Sequence, residues 1–342
     1  MATIKDVAEQ AGVSITTVSH VINKTRYVSN ELIDRVYEAM RELNYRPNTL
    51  ARSLRSGRTK TIGLVIPDIS NMFFAEISRK IEDKGFEFDY SVVLCNTDDD
   101  PRKEESYIEV LLEKQVDGII FISAGGAEEN LEKPINLGIP TIVADRDIQG
   151  AKSDVVMVDN LKGGYDAARY LISLKHKRIG CISGSSPVTP SAQRLGGYKK
   201  ALSEVNIKID DSLIETGDFR VEGGEVAMRN LLKIINPPTA VFACNDMMAL
   251  GAMRAVNDCG LQIPEDISLI GFDNIPISKS VYPALTTIAQ PIKEMADLIV
   301  GMLVNRITQK KNNRRTNEEI GEYNRIVLET RLIERGTCRS LD

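Results

Sequence analysis

Tryptophan is absent from this chain, and histidine occurs only twice. Two histidines make a structural zinc site built on imidazole an unpromising reading. The five cysteines, Cys95, Cys181, Cys244, Cys259 and Cys338, are odd in number and nowhere spaced as CxxC. Four of them sit in or beside apolar runs, which reads as buried free thiols. No apolar run reaches the roughly 18–20 residues that a membrane span needs. The opening "MATIKDVAEQ" has no apolar signal core, so a cytoplasmic protein without membrane contact is expected. No Gly-rich phosphate loop follows a strand-like run, no His stands at the end of one, and no Cys–His pair suggests itself. "SGSS" at 183–186 is too weak a signal for a phosphate cradle. Few enzyme mechanisms survive these absences, and neither metal nor cofactor is expected.

With 342 residues, 42% hydrophobic and 27% charged, the chain suits two or three globular domains. The net charge of −5 argues against nucleic acid until its distribution is read. Residues 1–60 carry ten Lys/Arg against six Asp/Glu, and the remainder 33 against 42. A small basic head on an acidic body is the asymmetry to explain.

The head, residues 1–57, reads as all helix. In "IKDVAEQAG", Ile4, Val7, Ala8 and Ala11 recur at helical spacing, with Thr3 placed to cap the start and Gly12 to end it. Ser14 can cap a second helix, "ITTVSHVIN", whose Val18, Val21 and Ile22 share a face. "SNELIDRVYEAMRELNY" is a third, with Ile33, Val36, Met40 and Leu43 inward, and Pro47 breaks the pattern. Two helices joined by "AGVS" make a helix-turn-helix. Its second helix exposes Thr16, Thr17 and His20, which can hydrogen-bond base edges, and begins with an exposed Ile15 suited to a thymine methyl. A three-helix protein-interaction module is the blander alternative. Asn23 and Arg26 complete the candidate DNA-facing set. The run "NTLARSLRS", within 48–56, is too short to be a stable helix alone. If it folds on DNA, Arg52 and Arg55 flank Leu54, an apolar wedge for minor-groove base steps. Otherwise it is a plain linker. Residues 58–61 are read as the linker to the body.

From residue 62 to 342 the texture changes. Short Val/Ile-rich runs, "TIGLVI", "YSVVLC", "GIIFIS", "PTIVA", "RIGCIS", "TAVFAC", "ISLIGF" and "LTTIA", alternate with helical patterns. About ten strands, each followed by a helix, imply parallel sheets in two α/β lobes. The polar run 310–324, "KKNNRRTNEEIGEYN", reads as an exposed loop, and His176 as a solvated turn residue.

Ligands of open α/β sheets sit beyond the carboxyl ends of the strands. The residues there are Asn71, Phe73 and Phe74; Asp145 and Arg146; Asn160; Arg194; Phe219; Asn245; Phe272 and Asp273; and Gln290. Planar Asp, Asn, Gln and Arg groups bind neighbouring sugar hydroxyls in pairs, and Phe rings wall the C–H faces. A guanidinium beside a carboxylate, as in Asp145-Arg146, limits the cost of burying either. Each residue has a bland reading: Phe74 as core, Asp145 and Arg146 as a surface pair, Asp246 as the N-cap of "MMALGAM". Together at strand ends they point to a small neutral polyol.

"TIKDVAEQAGVSITTVSHVINKTRYVS" and "LNYRPNTLARSL", with "DGIIFI", "GDF", "FACNDMMALGAM" and "LIGFDN", resemble the lac repressor family of bacterial transcription regulators, over nearly the whole chain. In the head and hinge the chain is especially similar to purine and ribose operon repressors. The resemblance implies a homodimer, sometimes a tetramer, on a palindromic operator. It implies base contacts from Ile15, Thr16 and His20, and Leu54 as the wedge of a hinge helix. It implies a body of the two-lobed type I periplasmic-binding-protein kind, with an N-lobe near 62–160 and 292–325. The C-lobe is near 161–291 with the C-terminal segment. The strand-end set resembles the site of the periplasmic ribose-binding protein. Purine repressors instead carry an aromatic where Arg146 stands and Gly where Asn245 stands. Two departures are Met72, where Pro is usual, and Ser123, where the ribose receptor has Asn. The expected function is a repressor whose operator affinity a pentose lowers. The alternative within the family is a purine-corepressed or phosphocarrier-dependent regulator. A transport receptor would need the signal peptide that is not seen.

Overall fold

The computed structural model describes residues 2–23, 25–46, 58–122, 128–145, 152–184, 190–316 and 322–341. They form two units, Met1–Thr59 and Lys60–Asp342. The first holds α1 (Ile4–Ala11), α2 (Ile15–Asn23) and α3 (Asn30–Glu42). Thr3 caps α1 through a capping box with Asp6, and Gly12 leaves it at φ 63°, a conformation that favours glycine. Arg35 closes this corner by donating from Nη2 to Ala11 O at 2.6 Å. Val7, Ala8, Ala11, Val18, Val21, Val36 and Ala39 are the buried core, with Ile22, Ile33, Met40 and Leu43 packed around it. The expected hinge at 48–56, with Arg52, Leu54 and Arg55, lies outside the described residues.

The second unit has two sheets. Five strands at the front of its sequence, β1 (Thr61–Ile66), β2 (Ser91–Asn96), β3 (Gly118–Ile122), β4 (Thr141–Ala144) and β5 (Asp154–Val158), make an N-lobe sheet. The C-lobe sheet comprises β6 (Ile179–Ser183), β7 (Ile214–Thr216), β8 (Ala240–Ala243), β9 (Ser268–Asp273), β10 (Thr286–Ala289) and β12 (Arg331–Ile333). β11 (Arg325–Leu328) returns to the N-lobe sheet beside β5, so that lobe reaches 328 rather than 325. Among the described residues, all pairings are parallel except β10 with β12. The central strands are buried on both faces, which is why they read as unbroken apolar runs.

The intervening helices are α4 (Met72–Glu87), α5 (Pro101–Glu113), α6 (Glu128–Asn136), α7 (Asn160–Ser173), α8 (Pro190–Glu204), α9 (Val221–Lys233), α10 (Asp246–Asp258) and α11 (Ile292–Thr316). The chain crosses between lobes after β5, after β10 and after β11. Asn160 and Gln290 lie at the first two crossings, so the topology itself delivers them to the cleft.

Two expectations fail here, and a third holds in part. Residues 310–316 are not loop but the last turns of α11. Lys, Arg and Asn there carry on a helix already nucleated by an apolar stripe through Met295, Ile299, Leu303 and Ile307. His176 is 1% exposed, not solvated. The C-terminal segment folds over it, with Leu341 N–H donating to Leu174 O. The ring reaches Thr239 Oγ1, Ser268 Oγ and Arg339 O at 2.9–3.1 Å, a long-range cover that no local pattern reveals. Cys95, Cys181 and Cys244 are buried free thiols, but Cys338 is half-buried and Cys259 exposed.

Glycine sets one close helix crossing that bears on the site. An added Cβ at Gly164 would lie 2.1 Å from Arg194 O, and one at Gly197 would lie 2.0 Å from Leu161 O. α7 and α8 therefore cross backbone to backbone, which places Asn160 beside Arg194. A Gly164→Ala substitution forces them apart. Overpacking of this kind costs about 1–3 kcal/mol, so the urea midpoint falls; an unchanged midpoint contradicts the crossing.

Candidate functional site

In the head, the face of α2 left uncovered by the core carries Ile15 and Thr16, both exposed, with Asn23 and Arg26 exposed beyond them. Thr17 is half-buried: its N–H donates to Ser14 Oγ at 3.0 Å, and its hydroxyl lies 2.9 Å from the same atom. It therefore serves the helix start. His20 Nδ1 meets Thr25 Oγ1 at 2.7 Å, and Asn23 Nδ2 donates back to Ser19 O at 2.8 Å. Tyr27, just after α2, is 95% exposed. Sequence reading passed over it because a lone aromatic in a loop carries no periodic signal.

In the body, one guanidinium organises the C-lobe side. Arg194, on the first turns of α8, is 4% exposed. Its Nε donates to Asn160 Oδ1 at 2.8 Å and its Nη1 to Cys244 O at 2.6 Å. Nη1 also lies 3.4 Å from Asp273 Oδ1. The guanidinium stacks on Phe272, 3.7 Å from the ring centroid, and the same ring fills the space over Gly163. Gln290 Nε2 donates to Asp273 Oδ1 at 2.7 Å. Gln290 Oε1 is buried with no hydrogen-bond partner among the described residues, which leaves an acceptor open in this set.

Asn245, not Asp246, is the N-cap of α10. It has the extended backbone a cap requires, and its Oδ1 accepts from Met248 N–H at 2.9 Å. Its Nδ2 donates to Phe219 O at 3.0 Å, which ties the Phe219 loop to the site. Asp246 turns into the lobe instead. It accepts from Thr287 Oγ1 at 2.6 Å and Ile275 N–H at 2.9 Å, and its carboxylate fills the space a side chain at Gly271 would take. Arg335 donates to Asn274 Oδ1 at 2.6 Å. Asp246 and Arg335 thus clamp a corner in which Asp273 and Asn274 have φ of 110° and 60°. Such backbone is costly for residues other than glycine and persists only where neighbours enforce it.

On the N-lobe side, Asn71 caps α4, its Oδ1 accepting from Phe73 N–H at 3.0 Å. Phe73 is buried and meets Phe74 edge to face, with centroids 5.3 Å apart. Phe74 is half-buried against the N-lobe core, so part of it is core after all. Asp145 follows β4 at φ 70°. Arg146 and Ser123 lie outside the described residues.

Burial pushes the Asp273 carboxyl up to about 7; Arg194 and Gln290 oppose this, and the like charge of Asp145 adds to it. That mutual influence places Asp145, from the N-lobe, within electrostatic reach of Asp273 in the C-lobe. Burial also raises Asp246, with the Asp273 charge second. The structure therefore joins Asn160, Arg194, Phe272, Asp273 and Gln290 by direct contacts, brings in the Asn245–Phe219 pair through the neighbouring Cys244 carbonyl, and reaches Asp145 by charge. Asn71, Phe73 and Phe74 form a separate N-lobe group. Among the described residues no cluster of His, Cys, Asp or Glu could hold a metal ion, and no helix is long and apolar enough to cross a membrane.

The model of bacterial regulatory proteins of the lacI family matches residues 3–48, and that of the periplasmic binding protein-like domain residues 168–338. The ribose operon repressor of Escherichia coli K12 is 41% identical over 99% of this chain and 100% of its own. The HTH-type transcriptional repressor PurR of Vibrio atlanticus is 38% identical over 100% of both. Among solved structures, a LacI family regulator from Enterococcus faecium with bound ribose has a TM-score of 0.74 and 33% identity, covering 82% of this chain and 100% of its own. The lac repressor dimer bound to operator and the anti-inducer ONPF has a TM-score of 0.83 and 27% identity, covering 99% of each.

Asp273 also gives a pH signature. Its folded pKa lies above the unfolded value, so its contribution favours folding below about pH 4 and is lost as pH rises through about 7. Asp273→Asn has no such group. Its melting temperature should gain on wild type between about pH 5 and about pH 8; a constant gap contradicts the burial cost.

Proposed function

The chain belongs to the lacI family of bacterial regulatory proteins, and on that premise we propose that it is a cytoplasmic operator-binding repressor induced by ribose or a close pentose. The observation that carries the sugar is the buried polar set around Arg194. Asn160, Asp273 and Gln290 present planar donors and acceptors around an aromatic wall, with Gln290 Oε1 left to a ligand. A sugar hydroxyl donates and accepts at once and so fits paired planar groups. Asn71, Asp145, Arg146, Phe73, Phe74, Phe219 and Asn245 belong to the same proposed site. The E. faecium relative with bound ribose supports this choice.

The proposed DNA-binding domain is 1–57. Ile15, Thr16 and His20 read bases, Thr17, Asn23 and Arg26 support them, and Arg52, Leu54 and Arg55 act in a hinge that folds on the minor groove. Thr25 holds His20 Nδ1, so Nε2 is the nitrogen that meets a base edge. The acting species is a homodimer or a tetramer on a palindromic operator. The lac repressor dimer on its operator supports the dimer. Bare apolar groups at Phe86, Leu94 and Tyr282 give a second copy something to cover. Sugar closes the lobes on each other, the N-lobes shift across the dimer, and the hinges separate.

A purine effector is the second reading, because repressors named PurR match this chain as well as a ribose operon repressor does. A thermal-shift panel of pentoses, hexoses and purine bases decides. At about 100 times its dissociation constant a ligand adds about 2.7 kcal/mol, or about 5 °C or more for a domain of this size. Ribose should give that shift and the purines none. No shift with any pentose overturns the sugar reading, and a shift with a purine alone establishes the other.

A further inference from the structure

An ion pair joins the two lobes outside the proposed sugar set. Arg220 Nη2 donates to Asp68 Oδ2 at 2.9 Å. Asp68 lies in the loop after β1, three residues before Asn71. Arg220 follows Phe219 and is the N-cap residue of α9. The bond therefore ties the loop that carries Asn71 and Phe73 to the loop that carries Phe219.

Both ends are held in place for it. Asp68 Oδ1 accepts from Ser70 N–H at 2.9 Å and from its hydroxyl at 2.6 Å, which leaves Oδ2 turned to the guanidinium. Asp218 Oδ1 accepts from Arg220 N–H at 2.9 Å and packs where a Cβ at Gly223 would stand. Asp68 is 13% exposed and Arg220 55%. Burial raises the Asp68 carboxyl, and Ser70 and Arg220 together bring it below its usual value. The Arg220 charge also reaches Asp98 and Asp99 in the loop after β2. The N-lobe rim is acidic at this point, and Arg220 faces it from the C-lobe.

We infer that Asp68 and Arg220 are positioning residues for the effector pocket, an ion pair that holds its two walls together and so sets effector affinity. The inference rests on the ribose reading for its ligand. A ligand's apparent affinity scales with the fraction of molecules whose site is already assembled. A partly exposed pair of this kind changes such a population by about two- to fivefold. Ribose is uncharged, so salt has little direct hold on its binding. It acts on the pair, because the Debye length falls from about 30 Å at 0.01 M to about 3 Å at 1 M.

The test is calorimetric titration of the full chain with ribose across that salt range. The variants are Arg220→Gln, Asp68→Asn and the swapped double variant Asp68→Arg/Arg220→Asp. Wild type should bind more weakly as salt rises. Each single variant should bind about two- to fivefold more weakly at low salt and lose the salt dependence, and the swap should restore both. Residues that merely supported the fold would not yield rescue by exchanged charges. Wild-type binding with unchanged affinity and salt dependence in Arg220→Gln overturns the inference while leaving the ribose reading intact. Failure of wild type to bind ribose overturns that reading alone, and hydrogen exchange without effector then decides the pair. Both single variants should exchange faster at 68–74 and 218–222 and the swap should not; unchanged exchange in the single variants overturns the inference.

Discussion

A buried guanidinium is the constraint on which the site depends. Arg194 gives up its hydration, and its N–H groups must be met by fixed acceptors, because an unpaired buried charge is among the costliest defects a fold can hold. Asn160, the Cys244 carbonyl and Asp273 supply the acceptors, and Phe272 covers the guanidinium face. Each partner imposes its own condition. Asn160 reaches Arg194 only because Gly164 and Gly197 let two helices touch backbone to backbone. Asp273 reaches it only through a left-handed corner that Asp246 and Arg335 enforce.

The lobes are linked by crossings at which candidate ligand groups stand. Asn160 begins the helix after the first crossing, and Gln290 lies at the second. A buried Thr330 at the third packs near Gly163 with the Phe272 ring. Movement of one lobe on the other must bend these segments, so a ligand gripping Asn160 and Gln290 touches the hinge as well as the walls. In the N-lobe, Asp154 anchors the crossing helix. It takes two 2.7 Å bonds from Arg306 and a further one from the Asn324 N–H. Burial raises its carboxyl, but Arg306 and Asn324 more than offset that. The lobes are thus tied internally and joined to each other by short connectors.

Much of this was legible in the sequence because burial on both faces writes a strand as an unbroken apolar run. The strands that leave the weakest trace, β7, β11 and β12, are three or four residues long and only partly buried, as in "IET", "RIVL" and "RLI". The head helices were legible from caps and periodicity, down to Thr3 and Gly12. Strand ends pointed to the polar residues that the fold gathers around Arg194. What stayed hidden depends on distant chain. His176 is covered by the C-terminal segment. Asp246 turns inward because Gly271 makes room for it, leaving the cap to Asn245. The Asp68–Arg220 pair spans 152 residues of sequence, beyond any local pattern.

A repressor of this design stores its response in two sites that read one equilibrium between lobe arrangements. On the proposed reading, sugar favours one arrangement and operator the other, so each must weaken the other's binding by the same factor. The direct measurement is the dissociation constant for ribose with and without saturating operator DNA. Reciprocal coupling predicts that operator raises it by about 5- to 150-fold, the range of couplings of about 1–3 kcal/mol, with an equal effect of ribose on operator affinity. A ribose dissociation constant that operator leaves unchanged contradicts it.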